Sequence, residues 1–267
     1  MNGTVREEAV GNNWRRGSWL WIDSHAHLDG MTPAYWRVAD QYGIRKVLVS
    51  HLGMGEPDFS YDPEMEQVRR WNDQVLSAMQ QSRGRMEGLC YLNPKYVEES
   101  LDELQRCVSA GMIGVKLWVS LKYDDDRVFR VLRAVREADV PVLLHSWRKA
   151  VGQLDQESTP DEVAYVAAHF PDVQFVMAHT GGDWEYGARR VAPFRNVCVD
   201  IACSVIDEGF VETAVDQLGA ERVLWGTDAP ASSVPVAVGK LEAARIKLRE
   251  KRLIAGGNAI RIYGLWI

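Results

Sequence analysis

Hydrophobic and polar positions along the chain alternate between short apolar runs and longer amphipathic stretches. The first run, Trp19 to Asp29 (WLWIDSHAHLD), ends in two histidines spaced i, i+2. On a strand, side chains alternate between faces, which puts Asp23, His25 and His27 on one side and Ile22, Ser24 and Ala26 on the other. Thr32-Pro33 then predicts a helix start, with Thr as N-cap and Pro in the first turn, running to about Gly43. Lys46 to Ser50 (KVLVS) reads as a buried strand with His51 at its end; Gly53 to Asp62 is a loop, and Asp62-Pro63 opens a helix ending near Gly84.

The same unit recurs to the end of the chain. Strands are expected at Met86 to Leu92, Ile113 to Trp118, Val140 to His145, Val173 to His179, Val197 to Ile201 and Arg222 to Asp228. Helices are expected at Val97 to Ala110, about Asp125 to Ala138, Ser158-Thr159-Pro160 to Phe170, Glu208 to Leu218, and Pro235 to Arg252. Eight apolar strands alternating with helical segments in 267 residues predict a single (β/α)8 TIM-barrel domain over 1–267. No Gly-rich phosphate loop favours an open doubly wound sheet instead.

Composition narrows the function. A net charge of −6 argues against a broad nucleic-acid-binding face. No stretch reaches the ~18 apolar residues of a membrane span, so no membrane partner is expected. Residues 1–18 form a polar lead-in without the apolar segment of a secretory signal. Cys90, Cys107, Cys198 and Cys203 lack metal-site spacing and read as buried reduced thiols, which predicts a cytoplasmic protein. A small-molecule substrate is the expected partner, and assembly into a homo-oligomer stays open.

In a barrel of this kind, chemistry is carried at the C-terminal ends of several strands. Those ends here bear His25 and His27, Lys116, His145, His179 and Asp228. A lone strand-end histidine is most often a hydrogen-bonded core residue, but five coincidences at equivalent positions are a poor alternative to a shared purpose. Parity places Leu143 with His145, Phe175 and Met177 with His179, and Leu224 and Gly226 with Asp228, which aims the last of each set at a common point. Imidazoles plus a carboxylate form a metal shell.

The order His-x-His, Lys, His, His, Asp resembles the amidohydrolase superfamily. GVKLW, FPDVQFVMAHTGG, GTDAP and GGNAIRIYGL resemble its amidohydrolase-related branch, which includes aminocarboxymuconate-semialdehyde decarboxylase and lactone hydrolases. The resemblance covers Trp21 to Leu265. It implies one divalent metal ion, zinc in most relatives, bound by His25, His27, His145 and Asp228, with His179 beside the water that the metal activates. A second ion held through Lys116 and His179 would need a carbamylated lysine. Many relatives have Lys-Leu-His-Pro where this chain has Lys116-Leu117-Trp118-Val119, so the fourth loop departs from their pattern.

The resulting expectation is a hydrolase acting on a lactone, ester or amide, with Asp228 and His179 as catalytic residues. The alternative is a metal-dependent nonoxidative decarboxylase on the same scaffold. A metal-dependent deoxyribonuclease is the weaker third reading, because such enzymes place a glutamate where Lys116 stands. Lys116, Trp118, His51, Arg148 and Trp184 are candidate substrate contacts.

Overall fold

The apolar runs become one parallel sheet. The computed structural model describes residues 19–267; the polar lead-in lies outside the described residues. β1 (Trp21–His27), β2 (Ile44–Ser50), β3 (Met86–Tyr91), β4 (Gly114–Leu117), β5 (Val142–Leu144), β6 (Phe175–Met177), β7 (Val197–Asp200) and β8 (Val223–Leu224) lie side by side in chain order. Main-chain hydrogen bonds beyond β8 bring the last strand against the first. Ser24 N–H donates to Trp225 O (3.1 Å), Asp228 N–H to His25 O (2.7 Å) and His27 N–H to Ala229 O (2.8 Å). The result is the expected (β/α)8 barrel.

The helices are α1 (Pro33–Tyr42), α2 (Met65–Gln81), α3 (Val97–Ser109), α4 (Asp126–Ala138), α5 (Pro160–His169), α6 (Trp184–Val191), α7 (Phe210–Leu218), α8 (Val234–Ala243), α9 (Leu248–Arg252) and α10 (Asn258–Tyr263). Their starts follow the predicted caps. Thr32 Oγ1 accepts from Tyr35 N–H at 3.2 Å, and Thr159 forms a capping box with Glu162. Val47, Val49, Val115, Leu117, Val142 and Leu144 pack outward on helix residues such as Val131, Val135 and Val163. The alternate positions Leu48, Leu89, Leu143, Val176, Cys198 and Leu224 fill the barrel interior.

Three local expectations differ from the structure. Phe175 and Met177 belong to the outward layer, so His179 does not reach the barrel mouth by strand parity. It gets there because the chain leaves β6 through left-handed residues at His179 (φ 59°) and Thr180 (φ 47°). Second, α6 was not anticipated; its start is fixed by Asp183, whose side chain accepts from Tyr186 N–H. Third, the helix expected over 235–252 breaks after Ala243. Ala244 is extended, Arg245 N–H donates to Glu212 Oε1 at 2.6 Å, and α9 restarts with Lys247 N–H donating to the Glu250 carboxylate at 2.8 Å. Tertiary contact overrides the helix propensity of KLEAARIKLREKR.

The C-terminal segment closes the end of the barrel opposite the histidines. Ala259, Tyr263 and Leu265 join the interior cluster, and Asn258 Nδ2 donates to Ala220 O and Val223 O, both at 2.7 Å. Gly256 is required there, since a Cβ would lie 2.3 Å from Leu20 O. Among the described residues no helix is long and apolar enough to cross a membrane.

Candidate active site

β1 delivers its histidines through an irregularity. Its pairing with β2 slips between Asp23 and Ala26, so that Ile22 faces the interior and His25 and His27 also face inward at the mouth. Asp23 does not share their face, contrary to strict alternation. Its Oδ2 accepts from the hydroxyls of Tyr35 on α1 (2.7 Å) and Thr227 (2.6 Å), and its Oδ1 from Thr227 N–H (2.9 Å). This carboxylate ties β1, α1 and the segment after β8 together. Burial pushes its pKa up to about 6.

Asp228 is the centre of the cluster. It sits in a left-handed turn (φ 58°) after Gly226, where a Cβ would come within 2.9 Å of the His25 Cβ. Asp228 Oδ1 lies 3.1 Å from His27 Nε2 and 3.5 Å from His25 Nε2, and its Oδ2 lies 3.9 Å from His179 Nδ1. One ligand atom from each of His25, His179 and Asp228 falls within 4.8 Å of the others.

Hydrogen bonds fix which nitrogens are free. Asp200 Oδ2 is 2.9 Å from His25 Nδ1; a carboxylate only accepts, so Nδ1 carries the proton and the Nε2 lone pair faces Lys116 Nζ at 3.2 Å. His179 Nδ1 donates to Ala202 O at 3.0 Å, which leaves its Nε2 as an acceptor. Asp200 Oδ1 also accepts from the backbone N–H groups of His179 (2.8 Å) and Ala202 (3.1 Å). His27 Nδ1 meets the Ser50 hydroxyl at 3.1 Å. His145 Nε2 lies 3.0 Å from Glu157 Oε1, and its ring centroid is 5.4 Å from that of His179.

Burial sets the charge states. It lowers His25 well below the ordinary imidazole range, with Lys116 adding to the effect, and lowers His145 as well; His179 falls to about 3. Lys116, fully enclosed, is brought down to about 8, and Asp200 is raised to about 6. Burial opposes ionisation of Asp228, yet the imidazoles of His179, His27 and His25 outweigh it and hold its carboxyl well below the usual range. Unprotonated imidazoles around an ionised carboxylate are the donor set a divalent transition-metal ion requires.

The other predicted contacts fall in two groups. Lys116 touches His25, and the Trp118 ring lies 6.5 Å from that of His145. His51 packs on Trp71, accepts from Gly53 N–H and faces Asp29 and Glu56 at 3.6 and 3.7 Å, apart from the central group. Arg148 pairs with Asp183 and stacks over Tyr186, and Trp184 donates to Asp207, so both are engaged on the α6 side. Asp23, Asp200 and Glu157 were missed as supports. Asp200 had a signal, an acid closing the apolar run VCVDI; Glu157 had none within its own segment.

A profile of the amidohydrolase family matches residues 22–265. The chain belongs to the amidohydrolase family. It is 23% identical over 236 residues to 2-amino-3-carboxymuconate-6-semialdehyde decarboxylase of Dictyostelium discoideum, a match over 73% of this chain and 65% of that protein. The chain thus spans just under two thirds of that relative's length. It is 21% identical to gamma-resorcylate decarboxylase of a Polaromonas species, over 92% of this chain and 91% of that one. A solved Polaromonas dihydroxybenzoic acid decarboxylase, with bound manganese and the inhibitor 2-nitroresorcinol, superposes with a TM-score of 0.74 at 17% identity, covering 92% of this chain and 97% of that one. The metal in that amidohydrolase fold is manganese, where zinc was expected for this chain.

Proposed function

We propose that this amidohydrolase is a metal-dependent nonoxidative decarboxylase of a small carboxylic acid. The observation that carries the reading is the convergence of His25, His179 and Asp228 within 4.8 Å at the barrel mouth. The decarboxylases among its relatives favour carbon–carbon cleavage over the hydrolysis expected from the sequence. His25, His27, His145 and Asp228 would hold one divalent ion, with His179 beside it. Manganese is the ion to supply first, since the Polaromonas structure contains it. A divalent cation there supplies positive charge that anchors an anionic substrate and draws electron density from the carbon bearing the carboxylate.

The chain's own groups do the rest. Decarboxylation replaces a C–CO2⁻ bond with a C–H bond, so one proton must reach that carbon as carbon dioxide departs. Asp228, the carboxylate at the centre of the cluster, takes up that proton and delivers it. His179 Nε2, unprotonated, orients the group that Asp228 serves. The Lys116 ammonium adds positive charge next to His25. Trp118 beside His145, and Trp147 with its ring 5.1 Å from that of His179, give flat walls suited to a planar unsaturated acid. The test is incubation of the manganese-loaded protein with ortho-hydroxybenzoic acids and unsaturated amino-carboxylic acids. Carbon dioxide released in step with substrate loss is expected; acid release from lactones or esters without carbon dioxide would return the reading to hydrolysis.

A further inference from the structure

β5 ends at Leu144; His145 N–H still donates to Leu117 O of β4 at 3.0 Å, but that backbone bond does not orient the ring. The loop from 145 to 159 does so instead by folding back on its own first residue. Its backbone is tied at both ends: Trp147 N–H donates to Ser158 O at 3.0 Å, and the Tyr123 hydroxyl donates to His145 O at 2.7 Å. Inside that frame lies Glu157, 3% exposed, with Oε1 at 3.0 Å from His145 Nε2. Its Oε2 accepts from Lys149 Nζ (2.6 Å) and from the Gln153 amide (2.9 Å). The Gln153 amide cannot turn round, because its Nε2 also donates to Trp147 O and its Oε1 accepts from Lys149 N–H, each at 2.9 Å.

We propose that Glu157 is a positioning residue that fixes the His145 tautomer, so that Nδ1 is the nitrogen offered to a metal ion. A carboxylate has no proton to give, so the His145 Nε2 facing it must carry one, and the lone pair of the neutral ring is then at Nδ1. Nδ1 has no hydrogen-bond partner among the described residues. Lys149 and Gln153 act on the far oxygen and keep Glu157 in place. This is the carboxylate–histidine pairing by which a protein orders its metal-holding imidazoles. The inference rests on the reading of His145 as one of the residues that hold the ion.

Glu157→Gln separates charge from shape. With only donors at the Oε2 position, the new side chain must put its carbonyl there and turn its NH2 toward His145, which then has to accept at Nε2 and move its proton to Nδ1. Long-range ¹H–¹⁵N spectra of metal-free protein, with the His145 signals identified by their loss in His145→Ala, read this directly. We expect the Nε2–H tautomer in the native protein, the Nδ1–H tautomer in Glu157→Gln, and a Mn2+ affinity about 10- to 100-fold weaker in that variant. A purely structural role for Glu157 would change the melting temperature of the metal-free protein and leave the tautomer alone. An Nδ1–H ring in the native protein overturns the inference without any variant, as does a Glu157→Gln protein with native tautomer and affinity. Unchanged Mn2+ affinity in His145→Ala would overturn it through the reading it rests on, and the metal-free spectra judge Glu157 apart from that reading.

Discussion

The two sides of the barrel mouth hold their histidines by different means. Where β1 meets the ends of β7 and β8, His25 is oriented by Asp200, and the same carboxylate takes the backbone N–H groups of His179 and Ala202. Every part of that support sits on a strand or within two residues of its end. On the β5 side, His145 follows the last residue of β5 with its N–H still bonded to Leu117 O, and its carboxylate partner arrives twelve residues later in a loop. The strand-held side is therefore part of the fold itself, whereas the loop-held side can be altered while the barrel stays intact. Trp118, whose ring lies 6.5 Å from that of His145, is also on the second side.

This contrast can be broken or sharpened experimentally. The largest effect should come from Asp228→Asn, which keeps shape but removes the proton carrier: decarboxylation should fall by roughly 10²- to 10⁴-fold with an unchanged circular dichroism spectrum. Near-native turnover would exclude Asp228 from proton transfer. Asp200→Asn comes next. It strikes the strand-held side, where Mn2+ affinity should drop about 10- to 100-fold and the metal-free protein should also lose about 1–3 kcal/mol in denaturant unfolding, since the amide NH2 that replaces Oδ2 cannot accept from His25 Nδ1–H, while the remaining carbonyl still serves the His179 and Ala202 N–H groups. If Asp200→Asn leaves metal-free stability intact, the distinction between the two sides fails.

Metal removal is a smaller perturbation. Chelation should lower the unfolding free energy by about 2.7 kcal/mol when the native protein is compared at metal one hundred times its dissociation constant. An identical melting curve with and without chelator would argue against a bound ion. Smallest is Tyr35→Phe, which removes one of the two hydroxyls on Asp23 Oδ2 and should cost about 1 kcal/mol, because Thr227 remains. A loss much larger than that would mean that the α1 contact, more than the β8 contact, holds the start of β1.

The contrast also explains what the sequence made legible. Apolar runs mark every strand, and the strand-end rule of barrels singles out His25, His27, His145, His179 and Asp228 from the sequence alone. Face-by-face parity was less reliable. It misplaced Asp23, because the slip in β1 has no signature in the hydrophobic pattern. For His179 it assigned the wrong partners, because a left-handed turn after β6 does what strand alternation was asked to do. Asp200 was readable as an acid closing an apolar strand. Glu157 was not, since its meaning depends on a loop path that only tertiary contacts determine. The break between α8 and α9 is of the same kind, set by Glu212 from another helix.

The central claim is that side chains from separate strands meet around one divalent ion. Titrating Mn2+ into metal-free protein, with the native chain beside a His25→Ala, Asp228→Ala double variant, tests it most directly. The account predicts one ion bound per native chain and none by the variant. No binding by the native chain, or equal binding by both, would contradict it.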